Sequence, residues 1–135
     1  MTDKPFRLLP RIVPETEFFW TGGASGELRF LRCRDCRTFI HPPAPICPKC
    51  LSRDLAPEAV SGKGSLFSFT INHQKWNPTV PVPYVIGLVQ IDEQEDVRLT
   101  TNIVNCDPND VRVGMRVRVK FDHEGDVYLP LFEPD

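Results

Sequence analysis

The segment LRCRDCRTFIHPPAPICPKC at 31–50 decides how this chain is built. It sets Cys33 and Cys36, then ten intervening residues, then Cys47 and Cys50. Each CxxC pair is short enough for both sulfurs to reach one tetrahedral ion. Four thiolates with no open position make a closed site without redox chemistry, which favours zinc. The rival readings are buried free cysteines, a redox disulfide pair, or iron. A thioredoxin-like pair would open a helix in a βαβ unit, and neither CxxC has such flanks. The same four sulfurs can hold iron, so on spacing alone the ion stays open between zinc and iron. Few large apolar residues lie between the knuckles, Phe39 and Ile46 among them, so burial alone cannot hold this segment. Zinc binding is worth about 10–16 kcal/mol in small finger peptides, which makes the metal a folding element here, with no catalytic role expected.

On the N-terminal side, Leu28 to Arg32 reads as a short strand that delivers the chain to Cys33. Further upstream, Pro14, Glu15, Thr16 and Glu17 mark a helix start, since acidic residues complement the dipole of a first turn. Gly22 and Gly23 are expected to end it after two turns. Phe18, Phe19 and Trp20 sit side by side on so short a helix that they cannot all face one apolar stripe. Part of that aromatic surface is expected to cover the neighbouring domain and part to meet a partner. Residues 1–13 show no period and read as an extended arm.

Beyond a polar connection at 51–57 the pattern changes to strands, at 59–73, 84–92, 97–104, 115–122 and 127–132. Met115, Val117, Val119 and Phe121 alternate with Arg116, Arg118 and Lys120, so one face is buried and the other cationic. Val85, Ile86, Leu88, Val89 and Ile91 put apolar groups on both faces, which predicts a strand covered on both sides. Gly62 and Gly64 mark a bend in the first strand. A long bent strand, four more, and a short turn or helix at 107–114 predict a five-stranded Greek-key barrel, the OB-fold. The expected architecture is mainly β, in three parts: an arm and short helix at 1–26, a zinc ribbon at 27–57 and an OB-fold at 58–135.

The bulk numbers agree with a single modest core. The chain has 135 residues, 41% hydrophobic and 25% charged, with 14 prolines that disfavour long helices. No apolar run approaches the roughly twenty residues of a membrane span, and the first fourteen residues carry charges and prolines where a signal peptide needs an apolar stretch. A cytoplasmic protein with reduced thiols is expected. A formal charge of −2 gives no general attraction to nucleic acid or anionic membrane. The ribbon is nevertheless locally basic, with Arg29, Arg32, Arg34, Arg37, Lys49 and Arg53 against Glu27 and Asp35.

No catalytic constellation is legible. Cys106 has no histidine in a recognisable arrangement with it, and His41, His73 and His123 are scattered. His41 reads as a solvated hairpin residue. No phosphate-binding loop of the GxGxxG or GxxxxGK[ST] kind occurs, and SGKGS at 61–65 opens a strand instead of a helix.

The order of motifs resembles a family of zinc-ribbon and OB-fold proteins associated with acyl-CoA metabolism, long classed as a domain of unknown function. The resemblance runs through FFW at 18–20, RCRDC at 32–36, HPP at 41–43, CPKC at 47–50, SGKGSLFSFT at 61–70, PYVIGLVQID at 83–92, VGMRVRVKF at 113–121 and LPLF at 129–132. It departs at Arg37, where the family usually has glycine, and at Ala44, where it usually has arginine. The resemblance implies a rubredoxin-like ribbon. It also implies a non-catalytic accessory subunit of a thiolase-like enzyme or an aldolase in lipid, steroid side-chain or polyketide metabolism, with a MaoC-like hydratase as another neighbour. Phe18, Phe19 and Trp20 would then contribute to the partner surface. The basic residues Arg29, Arg32, Arg34 and Lys49 are the candidates to steer the phosphates of coenzyme A, against the favoured plainer reading of a solvated face that keeps the ribbon soluble. The rival function is single-stranded nucleic-acid binding, with Phe67, Phe69 and Trp76 as stacking groups beside Arg116, Arg118 and Lys120.

Overall fold

The computed structural model describes residues 8–135; the first part of the expected arm, residues 1–7, lies outside the described residues. A five-residue helix α1 (Glu17–Thr21) leads into a 3₁₀ turn (Gly22–Ser25). The strands are β1 (Leu28–Cys33), β2 (Phe39–Ile40), β3 (Leu55–Val60), β4 (Lys63–Asn72), β5 (Tyr84–Ile91), β6 (Arg98–Ile103), β7 (Arg116–Glu124) and β8 (Val127–Pro134). The first three form an antiparallel sheet in the order β2-β1-β3. The other five close a barrel in the order β4-β5-β6-β8-β7. The parallel pairing of β6 with β8 closes the barrel in the OB-fold manner.

The helix ends differently from the glycine reading. Gly22 stays right-handed at φ −58, and the left-handed cap falls at Gly26, φ +69, whose N–H bonds back to the Gly22 and Gly23 carbonyls. Gly23 is small for another reason: a Cβ there would lie 2.5 Å from Tyr128 Cβ and 2.7 Å from Phe121 Cδ1. The turn thus lies directly on the barrel at β7 and β8.

The strand expected at 59–73 is two strands. Gly62, at φ +79, breaks the run, and the part before it pairs with β1 from Leu28↔Val60 to Cys33↔Leu55. The segment read as a polar connection is therefore partly a ribbon strand, held by pairing that its own composition does not signal. β4 then bends at a bulge between Leu66 and Ser68, which lets it pair with both β5 and β7 and close the barrel.

β5 also departs from expectation. Val85, Gly87, Val89 and Ile91 are buried, but Tyr84, Ile86, Leu88 and Gln90 on the other face are only half-buried. That face is shielded by same-face neighbours on β4 and β6, such as Ser68 and Thr100 beside Leu88. β7 follows its alternation, with Val117 fully buried and Arg116 and Arg118 exposed.

Ribbon and barrel share one core. Phe19, Leu28, Phe30 and Phe39 pack in the same cluster as Leu66, Val89, Val97, Val117 and Phe132. His41 belongs there too, stacked on Phe19 at 5.4 Å and edge-on to Phe30 at 4.9 Å, which corrects its reading as a solvated residue. Burial among these rings lowers its pKa, so the imidazole sits there neutral.

Candidate metal centre

Two similar knuckles build the site. In the first, the Arg37 N–H donates to the Cys33 carbonyl at 3.0 Å and the Cys36 N–H points at Cys33 Sγ from 3.5 Å. In the second, the Leu51 N–H donates to the Cys47 carbonyl at 2.9 Å and the Lys49 N–H points at Cys47 Sγ from 3.4 Å. Each knuckle closes through a left-handed residue after its second cysteine, Arg37 at φ +66 and Leu51 at φ +63. A glycine would take that conformation freely, whereas a residue with a Cβ pays on the order of 1 kcal/mol. The Arg37 guanidinium offsets part of this by bonding Glu58 at 2.9 Å, so the family's usual glycine is dispensable for the knuckle's shape.

The four sulfurs all lie within 4.8 Å of one another, with Cys33 and Cys50 at 3.5 Å and Cys36 and Cys47 at 3.6 Å. Zn–S bonds of about 2.3 Å in a tetrahedron place the sulfurs about 3.8 Å apart, so the set fits one zinc ion. The charges point the same way. The Thr38 hydroxyl and backbone N–H hold the Cys36 thiol down to about 6. At Cys50 the Ser52 backbone N–H favours the thiolate, but Cys33, burial and the other two thiols outweigh it and push the pKa up to about 12. Four thiolates within 4.8 Å of one another repel, and a cation between them relieves that repulsion. Cys33 and Cys47 are fully buried and Cys36 and Cys50 are exposed, and four thiolates fill a tetrahedral set without an open position. Bound zinc cross-links the knuckles and supplies folding energy; it is the ribbon's structural cofactor.

The basic residues of the ribbon are mostly engaged locally. Arg29 pairs with Glu27 at 3.2 Å, and Arg34 with Asp54 at 3.7 Å. Arg32 bonds Glu58 and the Arg37 carbonyl and lies over the Phe39 ring at 4.2 Å. Lys49 is exposed. Glu58, bonded by Arg32 and Arg37 and held below the usual carboxylate range by them, is a clasp that sequence reasoning missed. It lies 26 residues from Arg32, and no local pattern marks it.

Of the three adjacent aromatics, Phe19 turns into the core at 5% exposure, while Phe18 and Trp20 are half-buried at its edge. Phe18 lines an open apolar groove of about 580 Å³ with Pro14, Leu31, Pro43, Leu55 and Pro57. The stacking groups of the nucleic-acid reading are dispersed. Phe69 packs against the core, Arg98 covers Phe67 at 3.8 Å, and Arg116 and Arg118 pair with Asp92 and Glu133. Burial, then Asp110 and Asp107, raise the Cys106 thiol, the opposite of an activated nucleophile. Among the described residues the four cysteines are the one group of three or more His, Cys, Asp or Glu able to share an ion, and no helix is long and apolar enough to cross a membrane.

Residues 20–56 match the rubredoxin-like zinc ribbon domain of ChsH2, and residues 57–122 match the ChsH2 C-terminal OB-fold domain. The chain is 35% identical over 133 residues to the 3-oxo-4,17-pregnadiene-20-carboxyl-CoA hydratase alpha subunit of Mycobacterium tuberculosis, covering 98% of this chain and 42% of that protein. It spans about two fifths of the length of the hydratase alpha subunits it matches. It is 36% identical over 93 residues to a DUF35 domain-containing scaffold protein of Methanocaldococcus jannaschii, covering 67% of this chain and 64% of that protein. Among solved structures, a chain of the Ltp2-ChsH2(DUF35) aldolase superposes with a TM-score of 0.84 at 32% identity, covering 93% of this chain and 98% of that one.

Proposed function

We propose an accessory-subunit function on one premise: the chain belongs to the DUF35 family, the ChsH2-type zinc ribbon joined to an OB-fold. In this reading it is a non-catalytic scaffold that binds an acyl-CoA enzyme of the aldolase or thiolase-like class, and catalysis resides in that partner. The observation that carries the reading is the match over nearly the full length of both chains to the DUF35 component of an aldolase. The molecule's own chemistry supports it: a metal site closed to substrate, an unactivated Cys106, and an apolar groove beside Phe18 of the kind that marks partner surfaces. Of the three adjacent aromatics, Phe18 and Trp20 keep surface to offer. Of the four residues named for coenzyme A, Arg29, Arg32, Arg34 and Lys49, the exposed ones are Lys49 and Arg34, the latter 63% exposed in its side chain.

Affinity purification of the tagged chain from its native cell, with mass spectrometry and measured stoichiometry, tests this. An aldolase or thiolase-like subunit in fixed ratio is expected, together with no acyl-CoA turnover by the isolated chain. Recovery of the chain alone, or turnover by the pure chain, would overturn the reading.

A further inference from the structure

The turn joining β5 to β6, residues 92–96, carries the sequence DEQED and has no place in the metal site or the aromatic surface. Its side chains reach in three directions. Gln94 Oε1 accepts the Phe39 N–H at 2.8 Å, and Gln94 Nε2 donates to the Phe39 carbonyl at 3.0 Å and to Asp96 Oδ1 at 2.7 Å. Phe39 belongs to β2, the edge strand of the ribbon sheet. Because the N–H of Cys33 in β1 donates to the Thr38 carbonyl at 2.9 Å, the backbone groups of the next residue, Phe39, alternate to the outer edge. The Gln94 amide therefore stands where a neighbouring strand would, satisfying a donor and an acceptor together. Glutamate has no donor for the carbonyl, and methionine has neither strong group.

The adjacent residues anchor the same turn to the barrel. The Asp92 carboxylate takes both Arg116 nitrogens, at 2.8 and 2.5 Å, and the Asp92 N–H donates to the Lys63 carbonyl at 3.2 Å. Glu93 accepts the Ser61 N–H at 2.6 Å. Ser61 and Gly62 are the junction where the ribbon sheet passes into β4. Three consecutive side chains thus hold β7, the junction and the ribbon edge.

We infer that this turn is a latch that sets the angle between zinc ribbon and barrel, with Gln94 as its positioning residue. The shared core of Phe30, Phe39 and Val97 makes the two parts adhere, but apolar contact is non-directional. Hydrogen bonds to one backbone unit are directional, and they fix the orientation that contact leaves free. The ribbon groove and the barrel surface are consequently presented as one rigid body. This inference stands independently of the accessory-subunit reading.

The test is Gln94→Met in the zinc-loaded chain, which keeps side-chain length and deletes the paired bonds. Loss of a directional hydrogen bond of this kind is expected to speed exchange of the Phe39 amide about tenfold. In ¹⁵N relaxation the ribbon and barrel amides are expected to share one correlation time in the wild type and to separate into two in the variant, with one zinc per chain retained. Gln94→Glu, which keeps the acceptor, should fall between the two and serves as the measured variant if the methionine chain does not fold. Unchanged Phe39 exchange and common tumbling in the measured variant would overturn the inference.

Discussion

Removing the metal should unfold the ribbon while leaving the barrel a β-structure. The private core of the ribbon is Cys33, Ile40 and Cys47, edged by Leu31, Ala44 and Leu55. Two of the three buried residues are ligands, so Ile40 is the one purely apolar side chain buried there. Its full burial is worth about 1.5–3 kcal/mol. Zinc contributes about 10–16 kcal/mol in comparable small sites, as much as the whole stability of a typical domain, about 5–15 kcal/mol. Apolar burial cannot replace that. The barrel keeps its closed hydrogen-bonded ring, but it loses the cover of Leu28, Phe30 and Phe39, each worth up to about 1.5–3 kcal/mol. Stripping with a strong chelator under reducing conditions is the assay, with metal content measured in parallel. Far-UV circular dichroism should keep a β signal, amide protection across 31–40 should vanish, and the barrel should melt at lower temperature. Metal-free protein that keeps protection at Phe39 and Ile40 would refute the reasoning.

The adjacent aromatics should separate in their effects. Phe19→Ala is expected to cost about 3–5 kcal/mol in denaturant unfolding, whereas Phe18→Ala costs less stability and instead weakens co-purification with the proposed partner. Gly62→Ala should destabilise by about 1–3 kcal/mol, because φ is +79 and the new Cβ would lie 2.6 Å from Val119 Cγ1; a shift in urea midpoint measures it. Stability should fall with acidity in two windows. The depressed folded pKa of His41 means the unfolded chain takes up the proton first, so loss begins as pH drops below about 6.5, and His41→Phe should remove that limb. Glu58, Asp92 and Glu133 are likewise depressed by their hydrogen-bond partners, with Arg32, Arg116 and Asn105 foremost; their contribution is complete above about 4.3 and lost as pH falls further, and Glu58→Gln should flatten part of it.

Much of the fold was legible because the signals are local. The CxxC spacing limits which sulfurs can meet, and the alternation of Val117 and Val119 with Arg116 and Arg118 can face a core in only one way. The metal ligands were readable for the same reason. The misreadings at Gly22, at 51–60 and at His41 share another cause. A glycine can serve a close approach as well as a cap, as Gly23 does against Tyr128 and Phe121. A short strand such as β3 exists because β1 lies beside it, and its own residues, Pro57 and Glu58 included, do not announce it.

The amino-acid sequence by itself determined the four-cysteine cluster and the barrel class, since each follows from spacing or periodicity within a few residues. Tertiary structure alone decided that Phe19 turns inward while Phe18 stays at the edge, that Glu58 clasps Arg32 and Arg37, and that Gln94 completes the ribbon edge at Phe39 from 55 residues away. Such pairings depend on which surfaces the folded chain brings together, and many residue types are locally compatible with either partner's position.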